Sequence, residues 1–321
     1  MKKEQKKRMG ILTALLLAVT SGITIADAAA EQREPLRCLI FYSKMKGVNS
    51  VIAQAADEME RELEDTDDIE ISAYPLSSDL YSSLDYKVNL AIELDMDVLI
   101  LSGTAAGGDQ EAFAQLEEAG VKLILMDGDI ADSGRCAYVG TDNEQAGRQG
   151  ARLLEGQDNA CRIGILSAPV SGTGVEGSRR ERRQGFLEEL EKMNSQTPDQ
   201  FQVMEDMTCS HEIQEASGQI GQLLEKEKEL NVLFCLDSAS GIAAARAVEQ
   251  SGKQEEVYVI CFDYPAQVEE EMEKGGIDVA LVQDAQQCGR LCVQILKKIK
   301  EHPENTEVYR KMLECEVVTA P

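Results

Sequence analysis

From Leu36 onward, short apolar runs alternate with charged, amphipathic stretches of helical length. In the first half, the runs Cys38–Tyr42, Ile69–Tyr74, Val98–Ser102, Lys122–Met126 and Ala137–Val139 predict strands. Between them, stretches such as Val51–Leu63 and Asp109–Ala119 predict helices. The second half repeats the alternation, with strands expected at Arg162–Ser167, Gln202–Met207, Val232–Leu236, Val257–Phe262 and Val279–Val282. Strands spaced by helices imply βαβ units, and hence parallel sheets with helices on both faces. The predicted class is α/β.

The pattern also echoes itself. Val98-Leu99-Ile100-Leu101-Ser102-Gly103 is matched by Val232-Leu233-Phe234-Cys235-Leu236-Asp237, 134 residues later. Leu123-Ile124-Leu125-Met126-Asp127 is matched by Tyr258-Val259-Ile260-Cys261-Phe262-Asp263, with the two aspartates 136 apart. Two echoes at nearly one offset predict two lobes of similar topology. Parallel sheets place their working residues at the carboxyl ends of strands, where loops open into a crevice. Those ends carry Ser43, Ser102, Asp127, Asp237, Asp263 and Gln283, a polar and carboxylate-rich set. Carboxylates and amides suit hydroxyl pairs, and a guanidinium supplies two parallel donors. Two lobes facing each other across such a set would clamp a small polar solute.

The extreme N-terminus is of another kind. Lys2, Lys3, Lys6, Lys7 and Arg8 precede an apolar stretch from Ile11 to Ile25, followed by Ala26-Asp27-Ala28-Ala29-Ala30. This order predicts that residues 1–30 are a cleaved export signal or a retained anchor, although fifteen apolar residues are short for a span of about twenty. Cys38 lies too far downstream to be a lipidation site at the end of that run.

Composition narrows the function. Among 321 residues, 58 are acidic and 32 basic, a net charge of −26, and the first thirty residues carry +3, which leaves the remainder at −29. Such a body repels phosphate backbones, which argues against nucleic-acid binding. Nine cysteines in an exported chain would normally suggest disulfides, but the number is odd, and Cys38, Cys235 and Cys261 sit in apolar strand-like runs as small core residues. With only His211 and His302 in the chain, Cys288 and Cys292 lack the partners of a metal site. No metal or cofactor is expected. The first strand runs into Ser43-Lys44-Met45-Lys46-Gly47 instead of a dinucleotide-binding turn, and neither a G-K-[ST] phosphate loop nor a G-x-S-x-G elbow occurs. An enzyme is not expected.

Several segments resemble the type I periplasmic solute-binding proteins, the ribose-binding group. They are Val139-Gly140-Thr141-Asp142-Asn143-Glu144-Gln145-Ala146-Gly147, then Arg180-Glu181-Arg182-Arg183-Gln184-Gly185-Phe186, then Leu233-Phe234-Cys235-Leu236-Asp237-Ser238 with Ala243-Ala244. Cys261-Phe262-Asp263 and Val282-Gln283-Asp284 with Gly289 complete the order. The resemblance implies two lobes joined by three hinge crossovers: residues 31–141 with 284–321 in the first, 142–283 in the second. It implies ligand contacts from Asp127, Arg180, Asp237, Phe262, Asp263 and Gln283, with Ser43 and His211 as further candidates, and a hinge at Asp142 and Asn143. Arg180 would be the bidentate donor, Asp127 and Asp263 would accept hydroxyl protons from opposite lobes, Gln283 would bridge at the hinge, and Phe262 would offer an apolar face. Each carboxylate could instead cap a helix at a strand–helix junction, and for Asp142 capping is the expected role.

There are departures. Asn49 and Ser50 replace the paired aromatics of sugar binders, Gly128 stands where an arginine often follows the first-lobe aspartate, and Asp237 replaces the usual asparagine. The expectation is an exported, monomeric protein, free or membrane-anchored, that captures a sugar or sugar-like polyol for an ABC permease. The alternative is a sensor presenting the bound solute to a membrane histidine kinase or chemoreceptor.

Overall fold

The computed structural model describes residues 34–43, 51–76, 83–103, 110–130, 132–157, 159–169 and 173–321. The export segment, and Asn49 and Ser50, lie outside these residues. In chain order the first half runs β1 (Leu36–Ser43), α1 (Val51–Glu62), β2 (Ile69–Leu76), α2 (Leu84–Glu93), β3 (Val98–Ser102), α3 (Gln110–Ala119), β4 (Lys122–Met126) and β5 (Ala137–Thr141). The second runs α4 (Asn143–Arg152), β6 (Cys161–Ser167), α5 (Thr173–Gln196), β7 (Phe201–Thr208), α6 (Ile213–Lys226), β8 (Val232–Cys235), α7 (Ser238–Gln250), β9 (Tyr258–Phe262), α8 (Ala266–Glu273) and β10 (Val279–Val282). Then α9 (Ala285–Glu301), β11 (Tyr309–Leu313) and β12 (Glu316–Thr319) close the chain.

Two sheets result, ordered β11-β5-β4-β3-β1-β2 and β12-β10-β9-β8-β6-β7. The orders match strand for strand, so β4 corresponds to β9 and β3 to β8, and the sequence echo has its structural counterpart. All pairings are parallel except β10 with β12. The central strands are apolar along their whole length because helices cover both faces: β3 is buried at every residue, and β4 and β9 at all but the first. Ile40, Ile100 and Ile124 pack under α1 and α9 on one face of the first sheet, while Leu39, Leu99 and Leu125 pack under α2 and α3 on the other. The second sheet is covered likewise by α6 to α8 on one face and by α4 and α5 on the other.

The chain switches sheets three times: between β5 and α4, between β10 and α9, and between β11 and β12. The last switch differs from the division expected from the sequence. Residues 284–321 do not all belong with the first sheet, because Glu316–Thr319 pair with β10 of the second. All nine cysteines are free thiols, eight of them buried, and burial pushes the Cys209 thiol up to about 11 and Cys288 to about 12.

Candidate functional site

The carboxyl ends of the two sheets meet around the hinge, and the local chemistry there is set first by aspartates. Asp142, Asp237 and Asp284 are helix N-caps: their side chains accept from the backbone N–H groups of Gln145 (2.9 Å), Ser240 (2.9 Å) and Gln287 (2.8 Å). Asp142 therefore has the capping role expected of it. Asp237 does more. Its Oδ2 also accepts from the Ala168 backbone N–H at 2.9 Å and lies 3.2 Å from Arg179 Nε. Its buried carboxylate is thus engaged on both oxygens.

Asp127 and Asp263 are held differently. Each directly follows its strand, β4 or β9, and each has a left-handed backbone, with φ of 64° and 66°. Aspartate is among the few non-glycine residues enriched in that region. At Asp127 the Gly128 N–H bonds back to the Met126 carbonyl at 2.7 Å, a γ-turn that swings the side chain off the line of the strand. Gly103 makes this possible: a Cβ there would stand 1.8 Å from the Gly128 carbonyl oxygen, so the loops after β3 and β4 touch backbone to backbone.

Gln283 ties the hinge to the site. Its Nε2 donates to Asp263 Oδ1 at 2.7 Å, and its Oε1 accepts from Thr141 Oγ1 at 2.8 Å. One buried amide thus joins the end of β5 to the loop after β9. Asp263 is held by this bond, whereas the half-buried Asp127 carboxylate makes no hydrogen bond or ion pair among the described residues. Burial and the nearby Asp263 push Asp127 up to about 6, with Arg182 pulling the other way.

Arg182 occupies the place around which these groups assemble. It is 5% exposed, its Nε donates to Asn143 Oδ1 at 2.8 Å, and its NH1 donates to the Leu236 carbonyl at 3.0 Å. Its guanidinium lies over the Phe262 ring, 4.2 Å from the centroid. Glycines bring it there. A Cβ on Gly147 would stand 1.9 Å from the Arg182 carbonyl oxygen, and one on Gly185 would stand 1.9 Å from that of Glu144. Because α4 and α5 cross this closely, α5 carries its arginines into the hinge. Beside them a cavity of about 310 Å³ is lined by Asp129, Tyr138, Asn143, Glu181 and Arg310.

Of the residues singled out from sequence, Asp127, Phe262, Asp263, Gln283, Asp142 and Asn143 come together, with Asp237 adjacent. Arg180 does not join them. It lies two residues, about 160° of helix, from Arg182, and is exposed. Arg179 and Arg182, one turn apart, take the inward positions. Phe262 is wholly buried beneath Arg182 and presents a covered ring instead of an open apolar face. His211 is exposed, and the side chain of Ser43 lies outside the described residues. The signal for Arg182 was present in the sequence: it stands one turn before Phe186, on the face that also carries Glu189, Leu190 and Met193, all buried.

Two matched sheets joined by three crossovers define a bilobal fold with carboxylates at the strand ends of both lobes. The chain belongs to the periplasmic binding protein family, whose domain profile matches residues 41–303. No curated protein sequence matches the chain. Among solved structures, it is similar to an ABC transporter solute-binding protein from Burkholderia graminis in complex with D-arabinose (18% identity, 90% of this chain and 96% of that one, TM-score 0.71). It is similar also to one from Bacillus halodurans with bound myo-inositol (19%, 90% and 96%, TM-score 0.68). A third is a XylFII–LytSN complex (19%, 90% and 98%, TM-score 0.68). The family is one of binding proteins and implies a location outside the cytoplasm. Among the described residues no helix is long and apolar enough to cross a membrane, and no cluster of metal-ligating side chains occurs.

Proposed function

We propose that the protein is an extracytoplasmic solute-binding protein that captures a small polar ligand, a sugar or sugar-like polyol, between its lobes and delivers it to an ABC importer. The observation that carries this reading is the periplasmic binding protein domain over residues 41–303, laid on two matched sheets whose strand ends carry Asp127 and Asp263, with Gln283 linking Asp263 to the hinge. A solute contacting both carboxylates favours approach of the lobes, and the differential contact energy drives the hinge. Arabinose and inositol bound to two structural neighbours support a polyhydroxylated solute. Asp127, Asp263 and Gln283 are the primary ligand contacts in this reading. Asp237 and Phe262 support them from beneath. The N-terminal thirty residues serve export or anchoring.

A second reading, ligand sensing through a membrane partner, is favoured by the neighbour found in complex with LytSN. A thermal-shift screen against pentoses, hexoses and inositols tests solute capture. A ligand at a hundred times its Kd should stabilise the protein by about 2.7 kcal/mol. Silence across all three classes would contradict the carbohydrate-like assignment.

A further inference from the structure

Resting on that reading, we infer that the solute is longer than one ring, a disaccharide or a glycosylated polyol, whose second unit occupies the cavity of about 310 Å³ beside the hinge. The inference comes from how this cavity is joined to the site and from what lines it. Two of its lining residues are bonded to the site itself. Thr141 donates to Gln283 at 2.8 Å, and Asn143 accepts from Arg182 at 2.8 Å. The cavity thus shares a wall with the groups that brace Asp263 and Phe262. Its walls come from both lobes. Tyr138 on β5 and Arg310 and Met312 on β11 belong to the first sheet, whereas Gly177 and Glu181 lie on α5, which covers the second. Approach of the lobes would therefore enclose an occupant of the cavity together with a ring held at Asp263.

The chemistry of these walls fits a neutral, polyhydroxylated unit. Asp129 and Arg135 neutralise each other in a two-bonded pair, Nε to Oδ1 at 2.5 Å and NH2 to Oδ2 at 2.8 Å. Glu181 and Arg310 add one charge of each sign, so the charged lining among the described residues balances. Such a wall calls for no net charge on its occupant, yet it offers carboxylate acceptors and guanidinium donors to hydroxyl groups. Tyr138 joins the cavity to the strand-end carboxylate of the first lobe. It is buried, and its phenol rides over Gly140, where an added Cβ would stand 2.4 Å from the phenol oxygen. Burial first, then Asp127, Asp129 and Glu181, push that phenol up, so it stays a neutral hydroxyl near neutral pH. Its ring and Met312 add apolar surface for the C–H face of a sugar ring. The size agrees as well. Pockets that take small ligands begin at about 300 Å³, so this cavity has room for one unit beyond the one held at Asp263.

The test is isothermal titration of the full chain with D-glucose, D-galactose and myo-inositol, and with two-unit compounds built from them: cellobiose, maltose, lactose, melibiose and galactinol. At least one two-unit compound should bind about tenfold or more tightly than either of its components. Gly177→Phe and Met312→Trp fill the cavity from opposite lobes, the first at a position where an added Cβ meets no atom within 4 Å. In each variant that keeps native circular dichroism, the two-unit compound should lose more affinity than its components, so the preference collapses. Components bound without a two-unit compound exceeding them by that margin would overturn the inference while leaving solute capture standing. Binding of none of the compounds would overturn both. A preference that survives in both variants would overturn the placement in this cavity.

Discussion

Asp127 and Asp263 stand at matching positions of the two lobes, after the third strand in the spatial order of each sheet, with nearly identical left-handed φ angles. The same strand end thus carries an aspartate in the same backbone conformation in both lobes. Asp127 carries the consequence for stability. Its folded pKa of about 6 lies above the ordinary carboxylate value, so the native state binds more protons than the unfolded chain between about pH 4 and 6. Its contribution is favourable at the acid end of that window, is lost as the pH rises through about 6, and stays lost above it. Asp127→Asn should therefore unfold at higher urea than the parent at neutral pH, with the difference shrinking towards about pH 4. A difference constant with pH would contradict the assignment.

Arg182 and Arg180 offer a contrast within one helix. Arg182→Met removes two charge-assisted hydrogen bonds and strands Asn143 Oδ1 and the Leu236 carbonyl, at a cost of about 3 kcal/mol in urea denaturation. Lysine should recover little, because it lacks the planar fork that reaches both acceptors. Arg180→Ala, on the exposed side, should change stability by less than about 0.5 kcal/mol.

The glycines at the α4–α5 crossing make a third case. Gly147→Ala and Gly185→Ala each place a methyl group within 1.9 Å of a carbonyl oxygen of the facing helix. Each should cost about 1–3 kcal/mol. The double variant should cost less than the sum, because one separation of the helices relieves both clashes. Additive losses would show that the crossing does not move as a unit.

Gln283 is the hinge residue with the clearest test. Gln283→Leu keeps the volume but leaves Thr141 Oγ1 and Asp263 Oδ1 without their shared partner, and about 2 kcal/mol should be lost. In a double-mutant cycle with Thr141→Val the losses should fall short of additivity, since both remove the same bond. Fully additive losses would mean that the bridge contributes nothing.

Much of this arrangement was legible in the sequence, because buried parallel strands leave unbroken apolar runs. Val98–Ser102, Lys122–Met126 and Val279–Val282 form strands with the very bounds the pattern predicts. Tyr309–Leu313 and Glu316–Thr319 escaped it. They are edge strands whose charged and exposed residues, such as Arg310, Lys311 and Glu316, leave no apolar run to read. Asp127, Asp263 and Gln283 could be found because strand ends are where such sheets work. The choice between Arg180 and Arg182 could not be made from the motif alone; it depended on helical phase, and phase is set by the packing of Phe186 and Gly185 against α4. The engagement of Asp237 by Arg179 and Ala168 is a tertiary contact across strand ends, which one strand's sequence does not encode.

The claim of solute capture is tested most directly by native mass spectrometry of the full chain after incubation with a deproteinised small-molecule extract. The account predicts one small polar solute per chain, identified after release, and its loss in the Asp127→Ala/Asp263→Ala variant that still folds. No retained solute in the parent, or the same solute retained equally by the variant, would contradict it.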